Sequence, residues 1–296
     1  MAYIDNYKKY LDEIPTDIEI CKETDRRIVF GYTSDLDVLL TYNEEEFNKL
    51  IDANVKGDIY RDGDEDITDM ESFSRIIAYY MANGLGGEAD ITDKKVVDYL
   101  LEHFEHTFAL GGTAAQGAAA MASVGMPLIA HISDKSKEVC DLMDYEGLNA
   151  IVGEHQVPIR EIHTGEPVYH VVFSYTKGDS FVLHGKRYEV PISNRVILDY
   201  DTIHKDIVVK DDFKNYLEQH TDQLISYNVS GFNGIIDTDL VSRRMKELGV
   251  HYKKVKEKNP DCLIYFESAH YISQEVKKIV YREIASYVDI MGMNEE

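Results

Sequence analysis

Two carboxylates stand where short apolar runs of this chain end, and they are the residues best placed to do chemistry. Asp37 closes the segment GYTSDLD behind the run at 27–30, and Glu267 closes the run at 262–266. A carboxylate ending a buried strand must cap a helix, pair with a cation or hold a divalent ion, because an unpaired buried charge is costly. For Asp37 two readings stand side by side: a cap for a helix beginning near Val38, which Asp35 could serve as well, or a ligand for a polar small molecule. Asn294, followed by Glu295 and Glu296, ends the last apolar run, so Glu267 and Asn294 could share one metal ion. The third feature is Gly111-Gly112-Thr113, which opens the small-residue helix TAAQGAAAMA. Exposed amides at such a start bind an anion or a polar ligand, and Thr113 is a candidate cap. It matches neither the phosphate-loop nor the dinucleotide pattern, having no GK[ST] and no GxGxxG. The combined chemistry is phosphoryl transfer, with a polar molecule near Asp37 and Gly111-Gly112 and a metal-bound phosphate donor near Glu267 and Asn294.

Other chemistries lack their residues. There is no GxSxG, no HExxH and no Cys/His cluster, and the three cysteines are far apart, which points to a reducing compartment rather than to disulfides or zinc. The sequence Asp62-Gly63-Asp64 starts like a calcium loop but lacks the closing glutamate, and reads as a solvated turn. His103 and His106 fall on the polar side of an expected helix. A formal charge of −23 over 296 residues argues against nucleic acid or an acidic membrane as a main partner. No apolar run is long enough to span a bilayer and the first residues do not read as a signal peptide, so a cytoplasmic protein is expected.

The elements that must position these residues alternate between helix and strand. Helices are expected over 1–25, 70–83 (ending at Asn83-Gly84), 94–108, 211–220 and 237–248, with buried strands at 27–30, 126–132 and 224–229. GLGGEAD, containing Glu88, reads as a hinge or a close backbone approach. Residues 156–201 change to strand alternation and read as an antiparallel meander, a lid over the site together with 43–90. Residues 262–293 read as strand, helix, strand: a βαβ unit whose strand ends face a ligand crevice. The expected architecture is α/β, a three-layer α/β/α domain (1–42, 91–155 and 201–296) with a smaller α/β lid (43–90 and 156–200).

In this order the segments resemble the ADP-dependent glucokinases and phosphofructokinases of the ribokinase-like superfamily. GYTSDLD is similar to the family's sugar-binding loop, often asparagine where Thr33 stands, which implies that Asp37 holds sugar hydroxyls. LGGTAAQGAAAMA resembles its Gly-Gly motif and implies Gly111, Gly112, Thr113 and Gln116 at the sugar. Glu88 is similar to the family's lid glutamate, and VYHVVFSYTKGD with SNRVILDYD to its lid strands, which implies His170 and Arg195 as substrate residues, the arginine suited to a sugar phosphate. SGFNG is similar to a strand-end turn beside the active site. YFESAH resembles the HxE metal motif with Tyr265 in place of histidine and Glu267 retained, and VDIMGMNEE resembles the start of NxxE at Asn294. The family's GxGD loop, which carries the catalytic base, and its adenine loops have no match before Glu296, so a C-terminally truncated member without a catalytic base is expected. The resemblance implies Mg2+-assisted transfer from ADP to glucose or fructose 6-phosphate, with ADP or AMP and a hexose or hexose phosphate as partners. The alternatives are an ATP-dependent sugar or nucleoside kinase of the same superfamily and a non-catalytic sugar-binding pseudokinase.

Overall fold

Arg27–Gly31 is the central strand of a seven-stranded sheet in the computed structural model, which describes residues 2–293. The strand order is Ile290–Gly292, Leu263–Glu267, Leu224–Ser230, Arg27–Gly31, Leu128–Ala130, Leu148–Val152 and His155–Pro158. All neighbours are parallel except the last pair. Alternation along the central strand explains the layering. Val29 joins a buried cluster with Tyr227 of the neighbouring strand and with Phe213, Met245, Tyr252, Val276 and Val280 of helices Asp211–Gln219, Thr238–Lys258 and Gln274–Ile284. Phe30 points the other way, against Gly117 of helix Thr113–Ser123, where an added Cβ would lie 2.8 Å from the ring. Small residues therefore let that helix pack close on the opposite face. This unit comprises the chain up to Ser34, Gly112–Pro167 and the chain from Ile203 onward.

The second unit, Asp35–Gly111 with Val168–Thr202, carries a five-stranded mixed sheet ordered Gly87–Asp90, Asn194–Tyr200, Tyr169–Tyr175, Asp35–Leu40, His106–Gly111. Its inward face presents Leu36, Val38, Leu40, Val171, Phe173, Val196 and Leu198, all buried. Phe173 is the hub, with ring centroids of Phe47, Phe73 and Phe104 at 5.8, 6.1 and 6.2 Å. Those rings come from helices Glu44–Asn54 and Met70–Asn83 and from the C-cap of Lys94–His103. The starts of the first two helices are fixed locally. Asn43 accepts from the Glu46 amide at 3.1 Å, and Asp69 forms a reciprocal capping box with Ser72. Gly84, at φ +62°, ends the second helix as its sequence signal implies.

Several expectations need correction. No helix begins near Val38; residues 35–40 form a strand, because apolar residues alternate there instead of recurring at helical spacing. The helix at 94–108 stops at His103, and His106 to Phe108 belong to a strand, so His106 is not on a helix face. Residues 156–201 are not one meander: His155–Pro158 pairs in the first unit, Ser180–Leu183 and Lys186–Glu189 form a separate hairpin, and Tyr169–Tyr175 pairs parallel with Asp35–Leu40. Gly87 and Glu88 lie in an edge strand rather than a hinge. The helix expected at 237–248 continues to Lys258, and Glu44–Asn54 is a helix that the acidic run at its start obscured. Relative to the expected boundaries, residues 35–42, 91–111 and 201–202 fall in the second unit and 156–167 in the first. Among the described residues no helix is long and apolar enough to cross a membrane.

Candidate active site

The outward face of the five-stranded sheet is built by register. Asp90 pairs with Asp199, Asp199 with His170, His170 with Asp37, and Asp37 with Ala109, one row across all five strands. Side chains two residues along a strand share its face, so Glu88 joins Asp90, Asp35 joins Asp37, and Arg195 and Asp201 flank Asp199. The alternation that buries Leu36, Val38 and Leu198 inward thus delivers a dense set of carboxylates outward.

His170 is the positive centre of this set. Its Nδ1 lies 3.1 Å from Asp35 Oδ1, and its Nε2 lies 3.6 Å from Asp201 Oδ2 and 3.8 Å from Asp199 Oδ1. Burial disfavours the imidazolium, but Asp35, Asp201 and Asp199 together outweigh it and raise the His170 pKa well above the ordinary value. Burial, reinforced by Asp35, lifts Asp37 to about 6, with His170 and Arg195 opposing. Burial also lifts Asp199 to about 7, opposed by His170 and assisted by Glu88, Asp201 and Asp90. Near neutral pH the row therefore holds carboxyl groups that can donate as well as accept, which suits the hydroxyls of a polyol. Gly111 completes the face. A Cβ there would collide with Asp35 Oδ1 and come within 2.8 Å of Asp37 Oδ1, so only glycine leaves these carboxylates room over the backbone.

The remaining expected residues lie in the first unit. Gly112, at φ +83°, is the N-cap of helix Thr113–Ser123, and a Cβ on it would approach Thr33 O at 2.5 Å and Ser34 Cα at 2.8 Å. Thr113 is the first helical residue and not the cap, because the left-handed turn places glycine at that position; no side chain caps this helix. Thr113 and Gln116 are exposed on its first turn, while the Ala114 amide donates to Ser230 Oγ at 3.1 Å. Glu267 ends its strand opposite Gly292, and the Tyr265 hydroxyl donates to Glu267 Oε2. A Cβ on Gly292 would strike both oxygens, so the glycine leaves a cradle for them. That bond and burial push the Tyr265 hydroxyl up to about 12. Asn294 lies outside the described residues.

The structure brings together Asp37, Glu88, Gly111, His170 and Arg195 on one sheet face. It adds Asp35, Asp90, Asp199 and Asp201, which sequence reasoning did not single out. Their signal was present: the alternating aspartates of NRVILDYD and of DLD put both pairs on one side of a strand.

Comparison with known proteins supplies the family. The model of the ADP-specific phosphofructokinase/glucokinase conserved region matches residues 26–296. The ADP-specific phosphofructokinase of Pyrococcus horikoshii is 24% identical over 287 residues, which are 90% of this chain and 62% of that protein. The structure of a phosphofructokinase from Pyrococcus horikoshii OT3 with AMP aligns with a TM-score of 0.73 at 22% identity, over 90% of this chain and 62% of that one. An ADP-dependent kinase in complex with fructose 6-phosphate and ADPβS aligns at 0.64 and 17% identity, over 96% and 60%. The fold is the expected ribokinase-like α/β fold. The chain spans about 62% of the length of the curated relative it matches, and it belongs to the family of ADP-specific phosphofructokinases and glucokinases.

Proposed function

We propose that this chain supplies the sugar-binding side of an ADP-dependent sugar kinase, which transfers a phosphoryl group from ADP to glucose or fructose 6-phosphate. The observation that carries this reading is the register row Asp90–Asp199–His170–Asp37, in which the carboxyls of Asp37 and Asp199 are raised to about 6 and about 7. In-line transfer requires one hydroxyl held in place while the others are satisfied. Asp37 and Asp199 bind hydroxyls as both donors and acceptors, and His170 holds the carboxylates in position. Glu88 serves the outer hydroxyls of glucose, and Arg195, the exposed cation of this face, serves the phosphate of fructose 6-phosphate. Gly112 caps the helix whose first turn carries Thr113 and Gln116, and a helix N-terminus suits a polar ligand.

Magnesium fits at Glu267, a hard oxygen donor at the carboxyl end of a parallel strand, steadied by Tyr265 over the Gly292 backbone. Bound there, the ion supplies charge neutralisation to a nucleotide phosphate. The relative crystallised with fructose 6-phosphate and ADPβS supports the same pairing of sugar phosphate and ADP. The test is product formation by the intact enzyme with ADP or ATP as donor and glucose or fructose 6-phosphate as acceptor. ADP is expected to support turnover; product formed from ATP alone contradicts the reading.

A further inference from the structure

The first unit holds a cavity built from residues that the proposed sugar and metal sites do not use. Among its ten lining residues are His131, Lys135, Lys210, Asp212 and Phe213. His131 follows the carboxyl end of strand Leu128–Ala130, and Asp212 and Phe213 lie in the first turn of helix Asp211–Gln219. The cleft of about 230 Å³ opens to solvent, and about 10 Å³ of it has room for a water-sized atom.

The donors in this cavity outnumber the acceptors. His131 is only 8% exposed, and its Nε2 accepts from the Lys210 amide at 3.3 Å. A neutral imidazole that accepts at Nε2 carries its proton at Nδ1, and Nδ1 is buried without a hydrogen-bond partner. Two lysines lie beside this orphaned donor. Asp212, the only acid in the lining, is already engaged, its Oδ2 by the Gly153 amide at 3.1 Å and its Oδ1 by the Phe213 amide at 2.8 Å. With His131 neutral, the two lysines and Asp212 leave the lining one positive charge in excess, on a chain whose net charge is −23.

We propose that His131, Lys135 and Lys210 form an anion site of the phosphate class. One oxygen enters the cleft at His131 Nδ1–H, and the remaining oxygens meet the two ammonium groups. The electrostatics agree with the geometry. Burial, then the Lys210 charge beside it, lowers Lys135 to about 8, with Asp212 and the Cys140 thiol opposing. Burial and both lysines lower His131 to about 3. An anion relieves this repulsion, so its binding must raise the Lys135 pKa. Such a site lets the protein sense free phosphate or a phosphate ester apart from the sugar-holding face.

The test uses the folded chain and orthophosphate, read by NMR at the His131 ring and the Lys135 side chain. Titration is expected to move both signals and to shift the Lys135 titration midpoint upward. The Lys135→Met/Lys210→Met variant is expected to lose affinity by roughly tenfold or more, while Asp37→Asn leaves these shifts intact. Methyl phosphate and AMP distinguish the sources: shifts with esters identify an esterified ligand, and shifts with orthophosphate alone identify the free ion. In phosphate-free buffer Lys210→Met is expected to raise the melting temperature, because it removes a repelling charge. Unmoved His131 and Lys135 signals, unchanged phosphate affinity in the double variant, or a lowered melting temperature for Lys210→Met would each overturn the proposal.

Discussion

His131 and His170 are both largely buried, yet one is neutral and the other cationic. His131 sits between lysines in the first unit, where burial and the charges of Lys135 and Lys210 drive its pKa to about 3. His170 is in the second unit among Asp35, Asp199 and Asp201, which raise its pKa despite the same burial penalty. The residue type is shared and the neighbours decide the charge, so the two proposed sites suit different ligands. A neutral histidine between ammonium groups leaves a donor for an anion. An imidazolium among carboxyls leaves acceptors and shared protons for a neutral polyol.

The largest test of this contrast is His170→Leu. Removing the cation leaves Asp35 and its neighbours buried without compensation, and the second unit is expected to lose about 3 kcal/mol or more, read by chemical denaturation. A loss near zero would mean that the carboxyls already share protons without the imidazolium.

The contrast also predicts opposite pH slopes. Asp37 and Asp199 have folded pKa values raised to about 6 and about 7. Their contribution is fully present below the unfolded value of about 4 and is lost as pH rises through the folded values. His170 adds a contribution present below about 6.5 and lost as pH rises through its elevated value. His131 is depressed chiefly by burial, as is His251, so their contribution is present above about 6.5 and lost as pH falls toward their folded values. From about pH 4.5 to 7, amide exchange should show the five-stranded sheet weakening and the seven-stranded sheet strengthening. Asp199→Asn should flatten the first slope. Parallel slopes in the two units would break the comparison.

The smallest expected effect is His131→Phe. At neutral pH it removes one accepted hydrogen bond and should change stability by about 1 kcal/mol or less, measured by thermal melting. Its signature is a shallower loss on acidification in the first unit; an unchanged acid slope would mean that His131 is not held neutral.

The strand-end position of Glu267 was legible because a carboxylate closing an apolar run is a local signal, whereas Asp37 lies inside strand Asp35–Leu40. The Asp199–His170–Asp37 row was not, since it depends on parallel and antiparallel pairing between segments far apart in sequence. Once Asp35–Leu40 is known to be a strand, period two assigns the faces, but the sequence left a helix start equally open there. Phe104 and Phe108 extended the helix at 94–108 because their spacing continued the pattern; the chain turns at Phe104, and Phe108 is 43% exposed on its strand. Strands Arg27–Gly31, Leu128–Ala130 and Leu263–Glu267 were more readable, because each carries a continuous apolar run. The His131 cavity had no sequence signal, for its two lysines come from loops joined only by the fold.

The most direct test of the central claim is calorimetric titration of glucose and fructose 6-phosphate into the chain and its Asp37→Asn variant at pH 7. The account predicts that Asp37→Asn weakens hexose binding by roughly tenfold or more, as expected for a lost hydrogen bond between an ionisable carboxyl and sugar hydroxyls, with the far-ultraviolet spectrum unchanged. Equal affinity of the two proteins for both sugars would contradict it and leave the carboxyl row as a purely structural feature of the sheet.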